Sequence, residues 1–151
     1  MPLRDHPYLA FLGLSSALFA AATAGSDVIA RVTTGGQALS KAIAEHLYYA
    51  GTQPAGTALL LLPFLLLGGM SASLAARKGF DRGLAVFLLG TLLLSLMYFS
   101  GYQDSQGYMN RRMWTAATLS VGLLPFKSVP VLLLCLGLQW FLARRRRESE
   151  A

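Results

Sequence analysis

Charge is scarce in this chain, and the shortage narrows the options at once. Only 13% of the residues are charged while 54% are hydrophobic, with a mean hydropathy of +0.50. That balance excludes an ordinary water-soluble domain and a disordered chain, both of which need more polar surface. There are 7 acidic residues, and none lies in the apolar runs 8–25, 54–76, 84–100 and 119–142. A proton-coupled transporter needs an ionisable group inside the membrane, so this absence weighs against one. There is 1 cysteine, Cys135, set in an apolar run. Alone it can form neither an internal disulfide nor a thiolate metal centre, and its expected role is that of a small buried hydrophobe. Histidine is almost as rare, and His6 and His46 fall on opposite sides of any membrane the runs would span. No catalytic, metal or nucleotide motif is present, so neither a cofactor nor a metal is expected.

What the chain does have is long hydrophobic runs. The stretch from Pro54 to Ser100 reads as apolar run, short basic turn, apolar run. Pro54 to Ala76 carries no charge, and at ~1.5 Å per residue it exceeds the ~30 Å hydrocarbon core. Leu84 to Ser100 is near the lower limit for a crossing. Arg77, Lys78 and Arg82 lie between the two, and under the positive-inside rule they hold this turn in the cytoplasm. The pattern predicts a transmembrane helical hairpin.

The net charge of +6 does not imply nucleic acid. Arg4, Arg77, Lys78, Arg82 and Arg144 to Arg147 flank apolar runs, where basic residues set orientation and meet anionic headgroups.

The first run, Tyr8 to Gly25, resembles a secretory signal because Ala22-Thr23-Ala24 forms an A-x-A pattern. Its leader has one arginine offset by Asp5, and a retained transmembrane helix is the expectation. Gly13, Ala17, Ala21 and Gly25 recur at spacing four, a face on which another helix can approach closely. The second span offers Gly68, Ala72 and Ala76 at matching spacing as the partner within the chain; the other reading is a partner protein or a second copy.

Residues 26–53 are expected outside. Gln37 to Ala50 reads as an amphipathic helix with Lys41 and Glu45 on its polar side. Pro63 is expected to bend the second span by freeing the carbonyl of Leu59. The leucine-rich third span is expected to face lipid. Tyr102 to Arg112 returns outside. The fourth crossing follows over 119–142, broken early by Pro125 and Pro130, with Trp140 and Phe141 at the inner interface and Arg144 to Arg147 as anchor.

Few residues could carry chemistry. Lys127 is the ionisable residue placed within a span, where it either snorkels outward or contacts an ion or substrate. Asp27, Arg111 and Arg112 join it as candidates, the arginines pairing with Asp27, Glu45 or Asp104. His46 with a carboxylate could make an acid–base pair, although the adjacent Glu45 points about 100° away on a helix.

The expected fold is all-α, a single polytopic domain over the whole chain. Four transmembrane helices run up and down, with an extracytoplasmic amphipathic helix between the first two and both termini cytoplasmic, in a bacterial inner membrane. The expected function is non-enzymatic. The protein would act by contact with a membrane-protein partner, as an accessory subunit or an immunity-type protective protein, or with a second copy. The alternatives are a small oligomeric channel or transporter and, third, an outer-face membrane enzyme.

Overall fold

The computed structural model describes residues 3–144 and is helical throughout its ordered elements. A short turn of 3-10 helix, Leu3–Asp5, leads into α1 (Pro7–Thr33), followed by α2 (Leu39–Thr52), α3 (Pro54–Lys78), α4 (Phe80–Asn110), α5 (Trp114–Gly122), α6 (Leu124–Lys127) and α7 (Val129–Arg144). Four segments are long and apolar enough to cross a membrane: α1, α3, α4 and the run Leu124–Arg144. These are the features of an integral membrane protein. Of the basic anchor at the end of the chain, Arg144 is described, and Arg145 to Arg147 lie outside the described residues.

Two helices run well past the apolar stretches that mark them. Nothing in the sequence breaks α1 until Thr34-Gly35-Gly36, so it continues beyond Gly25 and carries Asp27 and Arg31. The amides of Thr34 and Gly35 then cap the Ala30 carbonyl at 2.9 and 3.0 Å. A side chain at Gly35 would collide with the Arg31 carbonyl and the Gln106 amide, so glycine permits this reversal. Likewise α4 extends to Asn110, and the expected outer loop from Tyr102 is helix instead. The turn between α3 and α4 is Gly79 alone, at φ 102, a conformation that suits glycine.

Packing corrects two expectations. The small face of α1 does not meet α3. Gly68 lies against Ser15 and the Phe11 carbonyl, on the opposite side of α1. Gly13, Ala17 and Ala21 are exposed, Gly25 is half-buried, and a Cβ at Gly13 or Gly25 would meet nothing. The large side chains decide this: Phe11 packs tilted against Phe80 and edge-on to Phe87, and Phe19 edge-on to Phe64, so α1 buries its aromatic edge. The third span is not the lipid-facing one either. α4 is central, with Val86, Phe87, Leu94 and Tyr98 fully buried. Gly83, Gly90 and Gly101 admit Ala75, Leu67 and Leu124 from its neighbours. The outermost helix is α7, whose buried residue is Cys135.

Pro63 lies inside α3 as expected. One residue on from the Leu59 carbonyl that Pro63 frees, the Tyr98 hydroxyl donates to the Leu60 carbonyl at 2.6 Å.

Candidate functional site

The site lies where α1 ends, α3 begins and α2 crosses over both. Thr23, Asp27 and Arg31 follow at spacing four along one edge of α1, and all three are buried. Arg31 Nε donates to Asp27 Oδ1 at 2.8 Å, an i,i+4 pair on one helix. Across from this edge, α2 presents Glu45, His46 and Tyr49. Arg31 Nη1 donates to Glu45 Oε2, and the guanidinium lies 5.6 Å from the Tyr49 ring centre. His46 Nδ1 is 2.9 Å from Asp27 Oδ2. Gln37 and Lys41 reach Glu45 from its solvent side, at 3.4 and 3.7 Å.

The side chains of Asp27 and Arg31 are only 7% and 10% exposed, so each needs its partner. Two carboxylates share the Arg31 guanidinium, and Lys41 faces the second of them, Glu45, from its half-exposed side. An ionised carboxylate only accepts hydrogen bonds. Facing such a carboxylate, His46 Nδ1 is the donor of this bond.

His46, Asp27 and Arg31 form one wall of a cavity of about 430 Å³. The opposite wall comes from α4, with Tyr102, Ser105 and Gln106; α3 and α5 supply the flanks, and Phe19 and Leu60 lie among its apolar lining. A volume of this size falls in the range that holds small ligands. The serine and threonine hydroxyls of the wall are already committed: Thr23 to the Phe19 carbonyl at 2.8 Å, Thr57 to Gln53 at 3.2 Å, Ser105 to Ala117 at 3.0 Å and Thr118 to Trp114 at 3.1 Å. None is hydrogen-bonded to His46 as an activated nucleophile would be. Other groups of the wall keep free hydrogen-bonding capacity. His46 Nε2, the Tyr102 hydroxyl and the Gln106 amide all belong to cavity-lining residues, and none has a hydrogen-bond partner among the described residues. Gln106 is only 4% exposed.

The chain matches no known protein family, no curated protein and no solved structure. Its chemistry is therefore read from the geometry alone.

Of the residues singled out from sequence, Asp27 is at the centre of this cluster. Lys127, Arg111 and Arg112 are elsewhere. Lys127 is exposed on the short helix α6 and makes no ion pair among the described residues. Arg111 and Arg112 form the exposed turn after α4, Arg112 at φ 59, and do not reach Asp27 or Glu45. The acids took Arg31 instead, a residue that the sequence reading passed over. Its signal was the i,i+4 spacing from Asp27, visible only once α1 is extended past Gly25. Glu45 and His46 do point apart, yet both serve the site, because the Asp27–Arg31 edge of α1 is seated between them. No group of three or more metal-ligating side chains occurs among the described residues.

Proposed function

We propose that this protein is a non-enzymatic integral membrane protein that holds a small amphipathic ligand in the cavity beside His46. The observation that carries this reading is the buried Asp27–His46 pair on a cavity wall that also presents uncommitted polar groups on Tyr102 and Gln106. Buried polar groups are costly when unsatisfied, so a wall of them is suited to a ligand that completes their bonds. The four spans run up and down, with both ends and the Gly79 turn in the cytoplasm and the amphipathic α2 on the outer side of a bacterial inner membrane. The clustering of Arg77, Lys78, Arg82 and Arg144 at one end of the bundle supports that orientation. To test the ligand reading, the protein would be purified in nanodiscs and its co-purifying small molecules identified by mass spectrometry. A stoichiometric molecule lost in Gln106→Leu and His46→Leu is the expected result; identical extracts from wild type and variants would sink the reading.

A second reading rests on the free face of α1. Gly13, Ala17 and Ala21 are exposed and Gly25 is half-buried, although small residues are what bring membrane helices together. This supports contact with a membrane-protein partner, as in an accessory or protective subunit, or with a second copy. Ala17→Leu with Ala21→Leu then reduces co-purification or oligomer size without affecting insertion. Unchanged association would leave this face to lipid.

A further inference from the structure

We propose that the groove between the ends of α3 and α7 binds one anionic phospholipid. Arg77 and Lys78 hold its phosphate, and an acyl chain lies along Leu74 and Leu136. This site is separate from the cavity beside His46 and does not depend on it.

The groove is built by the last turns of two spanning segments. Pro54–Lys78 and Leu124–Arg144 are both long and apolar enough to cross a membrane, and their C-terminal turns lie side by side here. The cleft holds about 290 Å³, lined on α3 by Leu74, Arg77 and Lys78 and on α7 by residues that include Leu136, Trp140 and Ala143. Leu74 is buried, while Leu136 and Trp140 are exposed. Toward the middle of the spans, Gln139 Nε2 donates to the Met70 carbonyl at 3.2 Å and bridges the two helices.

Charge specifies the occupant. Arg77 is exposed and Lys78 half-buried, and neither makes an ion pair among the described residues. A third cation, Arg144, lies 4.0 Å from the centre of the Trp140 ring, beside the groove. The described acids near this end are Asp5 and Asp81. Both are exposed, neither lines the groove, and Asp81 pairs with Arg4 at 3.4 Å. Arg82 donates to the Leu142 carbonyl at 3.3 Å. The cations of the groove therefore suit an anion, and at the ends of apolar spans they stand at the level of lipid headgroups. A free phosphate would leave Leu74, Leu136 and Trp140 uncovered. A phospholipid satisfies the charges and covers the apolar floor together.

Trp140 serves as the reporter in a Trp114→Phe background, since the chain has 2 tryptophans. The full-length protein is placed in phosphatidylcholine nanodiscs containing phosphatidylglycerol brominated near the head end of its acyl chains. Half-maximal quenching is expected at about a tenfold lower mole fraction than with phosphatidylcholine brominated in the same way. Arg77→Gln with Lys78→Gln should erase most of that preference. Ala143→Phe, which fills the groove with its charges intact, should do the same, and Leu136→Phe replaces it if that variant unfolds. Arg111→Gln with Arg112→Gln removes equal charge elsewhere and should leave the preference standing. No preference in the wild type, equal loss in the Arg111 and Arg112 variant, or a preference that survives a filled groove overturns the proposal. Displacement by soluble glycerol phosphate overturns it in favour of a free anion. A preference that emerges only after Glu148→Gln with Glu150→Gln overturns it in favour of the chain's own acidic tail.

Discussion

His46 Nδ1 stands 2.9 Å from Asp27 Oδ2, joining the middle of α2 to a buried carboxylate on α1. The same carboxylate accepts from Arg31 through its other oxygen at 2.8 Å, and Arg31 goes on to Glu45. These bonds tie α2 to the bundle and set the imidazole at the cavity wall. They are simultaneously the cross-link of the fold and the polar end of the site.

Removing Arg31 should therefore be costly. Arg31→Met leaves two carboxylates without their shared cation, and the loss of one partner from a buried pair costs roughly 3–5 kcal/mol. Denaturant or thermal unfolding in detergent measures it. Adding Asp27→Asn and Glu45→Gln to Arg31→Met should recover a large part of the loss, because the uncompensated charge goes with them. An Arg31→Met protein within about 0.5 kcal/mol of wild type would show that the cluster is solvated rather than buried.

The two faces of α1 should respond oppositely to bulk. Gly68→Val drives a side chain into Ser15 and the Phe11 carbonyl, and overpacking of this kind costs about 1–3 kcal/mol. Gly13→Val meets open space and should stay within about 0.5 kcal/mol of wild type in isolated protein. Equal penalties at both positions would contradict the packing of α1 described above.

Tyr98→Phe removes the hydroxyl that donates to the Leu60 carbonyl beside Pro63. The expected cost is about 1 kcal/mol, measured by unfolding, and the variant should otherwise retain the fold. A variant as stable as wild type would show that this hydrogen bond carries no net stability.

Much of the architecture could be read from the linear sequence because hydrophobic runs report directly on the solvent. Pro54 to Ala76 has to leave water whatever it packs against, and Gly79 and Pro54 punctuate helices locally. The reading failed where partners come from distant positions. Leucine content made α4 look lipid-facing, yet Gly83, Gly90 and Gly101 let three neighbours close around it. Spacing made the Gly13–Gly25 stripe look like the internal seam, yet the aromatic edge of the same helix won because it buries more surface.

The site divides in the same way. Sequence alone determined that four apolar segments would span a membrane, that basic residues would gather at one end, and that Asp27, Glu45 and His46 would be among the few groups able to carry charge. Only the tertiary structure decided that Arg31 would be the cation they share and that Lys127, Arg111 and Arg112 would be left outside. It also decided that the imidazole would face a cavity. The physical reason is that an apolar run satisfies its solvent one residue at a time, whereas a buried charge needs a specific partner, and which one it meets depends on how the helices cross.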